Sequence, residues 1–292
     1  MKKIIRGGIF LLYLEIIAIL TISFYKAPIS QEYKGAFVKE DLLESFYRDE
    51  IDYTESFSKI SGDTKENILA GVITHHFLAK DLIAEFFSEI TLENVETIYI
   101  VGPDHFDTLD FEDIDVISTY LNWKTPFGNY FSDRSRIGEL VEGGDIEIKD
   151  LTFRKEHSIY TLIPFAKKVF PDSKVIPLVL RSRMSLEKCF KIGSELNIEN
   201  SLLIVSVDFS HHATKEIAQE NDGRSIEALS SMEIEDINNI TSDCRECISL
   251  LYGYVSKQDS KFELLANMTS GDFGSEDLNN LTSYIAGYYI LR

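Results

Sequence analysis

The chain is short of several things, and each shortage closes a class of reading. It has three cysteines, Cys189, Cys244 and Cys247, too few for a disulfide framework. Cys244 and Cys247 form a C-x-x-C with no second pair nearby, whereas a structural zinc site takes four ligands. They read as core or helix-surface thiols or, were the domain exported, as a local disulfide. Basic residues are scarce too: 29 Lys and Arg face 48 Asp and Glu, a net charge of −19. That balance argues against non-specific nucleic-acid binding, which depends on neutralising phosphates, and it attracts cations. Neither GxGxxG nor GxxxxGK[ST] occurs, so no glycine loop cradles a phosphate. Repeats of fixed period are also missing. Histidine is the most telling scarcity, with only six in 292 residues.

What is present suits a globular protein. The 44% hydrophobic content can fill a core, and the length serves one large α/β domain or two small ones. One long apolar run stands apart, at residues 7–25, behind Lys2, Lys3 and Arg6 and broken only by Glu15. At about 1.5 Å per residue such a run just crosses a bilayer core. It predicts an uncleaved N-terminal membrane anchor over residues 1–25, basic end in the cytoplasm and domain outside. A cleaved signal sequence, giving a secreted protein, is the alternative; residues 27–30 fit a cleavage site poorly. Glu15 argues against spanning, since a central carboxyl is costly in lipid.

Residues 26–65 are polar and charged and read as a linker leading into irregular structure. From residue 66 onward strands and helices alternate. Strands are expected at 70–73, 97–101, 115–120, 174–180 and 201–207, and helices at 77–90, 157–169, 185–196, 215–230 and 244–256. A turn falls at Gly143-Gly144, and two closing strands at 262–268 and 282–291. Alternation of this kind means one α/β domain over residues 66–292, with a mostly parallel central sheet flanked by helices.

Five of the six histidines follow a strand-like run. His75 and His76 follow ILAGVIT, His105 follows TIYIVGPD, and His211 and His212 follow SLLIVSVDFS, which also carries Asp208. The sixth, His157, opens an amphipathic segment. Open α/β sheets place ligand crevices at the carboxyl ends of their strands. If these strands are neighbours, their ends lie about 5 to 10 Å apart. Imidazoles and a carboxylate meeting there are ligand chemistry for Zn, Fe or Cu, and two histidines with one carboxylate suit non-haem Fe(II). Taken singly, each has a structural reading as a helix cap or turn residue.

Five segments resemble one family. GVITHH is similar to the I-x-P-H segment of the Memo family, with Thr74 where proline is usual, and VGPDHF to its G-P-x-H segment. EHSIYTLIPF resembles E-H-S-x-E-x-x-x-P-F, with Tyr160 at the glutamate position; VSVDFSHH resembles S-x-D-F-x-H. Near the end, NMTSGDFGSEDLNNLTSYIAGYYI resembles S-G-D…S-Y-x-A-G. The segments keep the family's order from residue 68 to the end, as in the bacterial and archaeal group called AmmeMemoRadiSam system protein B.

The resemblance implies a fold akin to the class III extradiol dioxygenases, which are non-haem iron enzymes. It implies His75 and His105 as metal ligands, and His157, Asp208 and His211 as the other site residues, with His157 or His211 as acid–base group. Human-type members carry a cysteine in the closing segment; residues 270–274 have none here, so Asp272 is expected as third ligand. Fe(II) is the expected metal, with Cu or Zn as alternatives. The expected partners are that ion, a small molecule or peptide in the crevice, and a membrane through the N-terminal helix. The implied function is a metal-dependent oxidoreductase of unknown substrate; a membrane-tethered binding module without catalysis and a zinc-type hydrolase are the competing readings.

Overall fold

The computed structural model describes residues 42–60, 64–107 and 114–292. Its centre is an eight-stranded sheet built on four parallel strands whose residues are buried on both faces. In chain order the strands are β1 (Leu43–Glu44), β2 (Ile68–Ile73), β3 (Thr97–Pro103), β4 (Val116–Ser118), β5 (Trp123–Thr125) and β6 (Gly128–Tyr130). Then come β7 (Glu147–Ile148), β8 (Lys174–Leu180), β9 (Ser201–Ser206), β10 (Ser260–Thr269) and β11 (Ser283–Leu291). The large sheet runs β10-β11-β2-β9-β3-β8-β4-β7, and β1, β5 and β6 form a small second sheet. Pairing is parallel through β2, β9, β3 and β8, while β11 is antiparallel to both β10 and β2, and β4 to β8. The sheet is thus parallel in its middle, antiparallel where β11 and β4 join it, and parallel again in the outermost pair β4 and β7.

Period-two side-chain geometry divides these strands between two cores. On β9, Leu203 and Val205 face one cluster while Leu202 and Ile204 face the other. On β3, Tyr99 and Val101 oppose Ile98 and Ile100 in the same way. The first core is closed by helices Leu186–Glu195, Lys215–Ser231 and Arg245–Val255, and the second by Lys80–Glu89 and Ile163–Val169. Helices Leu186–Glu195 and Arg245–Val255 touch backbone to backbone. A Cβ on Gly193 would lie 1.9 Å from the Leu250 carbonyl oxygen, and one on Gly253 1.9 Å from that of Phe190. Only glycine permits that approach.

Most expected elements lie within a few residues of those observed. Ser185 caps its helix by accepting from the Lys188 amide at 3.2 Å. The helix expected over 157–169 is broken into His157–Tyr160 and Ile163–Val169, with Pro164 in the first turn of the second piece. That break suits proline, which lacks the N–H an interior turn requires. Residues 42–60, read from sequence within a linker, carry β1 and the helix Glu50–Ser58, whose Tyr53 is buried.

One expectation is corrected. Among the described residues no helix is long and apolar enough to cross a membrane, against the expectation of a membrane-anchored protein. The apolar run at 7–25, on which that reading rested, lies outside the described residues.

Candidate metal centre

Strands β2, β9 and β3 are consecutive neighbours, and all three end at the same edge of the sheet. Past those ends come Thr74-His75-His76, the segment from Val207 to His212, and Asp104-His105. Adjacent strands lie about 4.8 Å apart, so residues after β2 and β3 are close enough for long side chains to meet over β9. They do: the His75 and His105 ring centroids are 4.9 Å apart.

His157 reaches the same place through Gly102. A Cβ at Gly102 would fall 2.5 Å from Ser158 Oγ, so a side chain there would push the short helix His157–Tyr160 off β3. With glycine present, Ser158 Oγ donates to the Pro103 carbonyl at 3.2 Å, and Ser206 Oγ donates to the Ser158 carbonyl. The His157 ring then sits 4.0 Å from that of His105 and 5.0 Å from that of His75.

Carboxylates complete the cluster. Asp243 Oδ2 is 3.5 Å from His75 Nε2 and 3.5 Å from His105 Nε2, while Asp208 Oδ2 is 3.7 Å from His75 Nε2. The two aspartates brace each other: the Asp208 amide donates to the Asp243 carboxylate at 3.2 Å, and the Asp243 amide to the Asp208 carbonyl at 3.1 Å. Thr74 Oγ1 donates to Asp208 Oδ1 and accepts from the His76 amide. Glu156, fully buried, accepts from His105 Nδ1 at 2.8 Å and from the His105 amide at 3.0 Å.

These surroundings set the charges. Burial pushes His75 down to about 3, leaving a neutral imidazole with a free lone pair. Burial opposes charge on His105 as well, but hydrogen bonds to Asp243 and Glu156 outweigh it and hold its pKa up at about 10. His157 is lowered by burial and by the neighbouring charge of His105. Burial raises Asp208; it also works against Glu156, whose hydrogen bonds from His105 nonetheless carry it below the usual carboxylate range.

Two sets of side chains here can hold a metal ion: His75 with His105 and His157, and His75 with Asp208 and Asp243, their ligand atoms within 4.8 Å of one another in each set. The chemistry of the donors fits. His105 commits Nδ1 to a buried glutamate, and His75 Nδ1 faces Ser206 Oγ at 3.3 Å, which turns both Nε2 atoms inward. A carboxylate behind an imidazole is the usual support for a metal-bound histidine.

Asp272, expected as third ligand, is in neither set. Its Oδ2 accepts from the Thr269 amide at 2.8 Å and from Thr269 Oγ1 at 2.9 Å, closing a capping box on the turn Ser270–Phe273. Asp243 is the carboxylate beside both histidines instead. His211 stands at the mouth, its Nε2 3.9 Å from Asp208 Oδ2. His76 and His212 turn away, to Tyr284 Oη and to Asn280 Oδ1. Sequence reasoning missed Asp243 and Glu156. Glu156 was visible in the E-H-S segment, whereas Asp243, placed just before C-x-x-C and a helix, resembles any acidic helix-start residue.

Comparison with known proteins bears on most of the chain. The family model described as Memo-like protein matches residues 52–288. A MEMO1 family protein of Nitrosopumilus maritimus is 27% identical over 70% of this chain and 76% of its own length. Another, of Methanobrevibacter smithii, is 28% identical over 86% of this chain and 92% of its own. Among solved structures, an uncharacterized protein from Escherichia coli K12 is similar over 75% of this chain and 99% of that one, at TM-score 0.46 and 12% identity. With a family match that spans most of its length, the chain belongs to the Memo-like protein family.

Proposed function

We propose that this protein binds one transition-metal ion through His75, His105 and Asp243, and that iron(II) is the ion best suited to that set. The observation that carries the reading is the position of Asp243 Oδ2, 3.5 Å from the inward nitrogen of each histidine. Two imidazoles and one carboxylate leaving coordination positions open are the donor set of non-haem iron oxygenases. Iron bound there supplies open positions and redox chemistry, and the reaction class we infer is oxidation of a small molecule. His157, lowered by burial, is a neutral base beside those positions. Asp208 orients His211, the second proton-handling candidate, at the mouth. Phe106, 43% exposed, and Tyr160 flank His157 with ring centroids 6.5 Å away.

A zinc-type hydrolase is the second reading, favoured by the set His75, His105 and His157, since three imidazoles are a catalytic zinc donor set. Elemental analysis of protein purified without added metal separates the two: iron with oxygen consumption supports the first, zinc with none the second. His75→Ala and His105→Ala are expected to abolish stoichiometric metal, and Asp272→Asn to leave it intact. Metal retained in both histidine variants overturns the site.

A further inference from the structure

The sequence motif that the proposed site leaves unused is C-x-x-C. Cys244 and Cys247 are joined by a disulfide, with Cα atoms 5.2 Å apart. Cys244 is also the N-cap of helix Arg245–Val255, its Sγ accepting from the Cys247 amide at 3.1 Å. Asp243 is the very next residue toward the amino terminus. We propose that this disulfide is a redox-sensitive clamp on Asp243, holding the carboxylate against His75 and His105 when closed and weakening metal binding when opened. The inference rests on the reading of Asp243 as a ligand.

Four observations favour a clamp over a simple staple. The helix beyond Cys247 is already fixed by the glycine-mediated contact with Leu186–Glu195, so it needs no bond within its first turn to stay in place. A bridge between residues three apart also closes too short a loop to restrict the unfolded chain much. What the bond does constrain is the backbone at the N-cap, and through it the direction in which Asp243 leaves the helix. The remaining tethers on Asp243 are hydrogen bonds: its carboxylate accepts from the Asp208 amide and from Ser242 Oγ at 3.4 Å, and its amide donates to the Asp208 carbonyl at 3.1 Å. Spacing of this kind at a helix start is also that of redox-active pairs.

Opening the clamp takes two electrons and two protons from an external dithiol, which becomes its own disulfide while Cys244 and Cys247 become thiols. Cys244 is 3% exposed and Cys247 fully buried, so exchange is slow and titrations must run to equilibrium.

The test measures Co(II) and Zn(II) affinity of the full chain with the pair oxidised, and again after dithiol reduction and anaerobic removal of the reductant. Support for a metal-bound ligand is typically worth 10- to 100-fold in affinity, so reduction is expected to weaken binding by about tenfold or more. Linkage then requires bound metal to lower the reduction potential of the pair by about 30 mV for each tenfold. The variant with Cys244→Ser and Cys247→Ser is expected to bind like the reduced protein; should it fail to fold, the potential shift of the unaltered chain still decides. Equal affinity and an unmoved potential overturn the clamp while leaving the metal site standing. Tighter binding on reduction overturns it too, by making a thiol a ligand. No binding in either state overturns the metal reading and the clamp together.

Discussion

The four parallel strands have two ends, and both are rich in polar side chains. At the amino ends, Thr97 Oγ1 donates to Asp133 Oδ2 at 2.9 Å, and Arg136 Nη1 donates to Ser201 Oγ at 2.7 Å. Asp133 also caps helix Arg134–Glu142 by accepting from the Arg136 amide. A cleft of about 270 Å³ opens there, lined by Tyr99, Arg136, Ile192 and Asn197 among others. Each of these polar groups has a conventional partner. At the carboxyl ends three imidazoles and two aspartates face one another, the rings 4.0 to 5.0 Å apart and the inward nitrogens of His75 and His105 each 3.5 Å from the same Asp243 oxygen. What marks a site in this fold is several ligand groups held from outside and turned toward one another.

The sharpest way to break that contrast is to remove one carboxylate from each end. Asp133→Ala deletes a helix cap and leaves Thr97 Oγ1 and the Arg136 charge short of a partner; it is expected to cost about 2 to 4 kcal/mol. Denaturant midpoints at constant slope measure this, with metal content unchanged. Asp243→Asn should do the reverse, lowering metal affinity by about 10- to 100-fold while shifting the metal-free midpoint by less than half as much. Similar stability losses from both variants would mean that the carboxyl-end cluster is merely structural.

Next in size is Glu156→Gln. The buried Glu156 carboxylate touches no proposed open position, yet it receives both the ring and the amide of His105. Replacing it keeps the shape and removes the charge that fixes which His105 nitrogen carries the proton. Metal affinity is expected to fall by about tenfold, with the fold retained by circular dichroism. An unchanged affinity would show that His105 is oriented by packing alone.

These contrasts also explain what the sequence could and could not disclose. The buried strands were legible because apolar β-branched runs have few other uses, and β8 was expected over its observed span. The histidines after β2 and β3 were legible because ligand groups collect where strands end, and those strands lie only one apart. The hairpin of β5 and β6 and the helix Arg134–Glu142 were not, because short elements on the rim show too few periods of pattern. Asp272 was expected because it stands in the closing segment, where the resemblance places a cysteine that this chain lacks. Which carboxylate reaches the histidines depends on the path of helix Arg245–Val255, and that path is set by Gly193 and Gly253, contacts between distant parts of the chain.

The smallest effect concerns the scaffold behind the site. Asp222, on helix Lys215–Ser231, is 1% exposed and accepts from Ser283 Oγ at 2.6 Å; Ser283 Oγ in turn accepts from the Ser210 amide at 2.9 Å, next to His211. Burial raises its pKa to about 6, the hydrogen bonds from Ser283 and Asn267 countering only part of that. A carboxyl whose pKa is higher folded than unfolded stabilises the fold fully below its unfolded value, near 4, and loses that contribution as pH rises through 6. The stability of the wild-type chain relative to Asp222→Asn is therefore expected to grow by about 1 to 2 kcal/mol as pH falls from 8 to 4.5, with most of the change below 6. Urea titrations of both proteins at those two pH values measure it. A difference that stays flat would mean that Asp222 is as fully satisfied as Asp133, and that the loop carrying Asp208 and His211 rests on a scaffold no more strained than the amino ends.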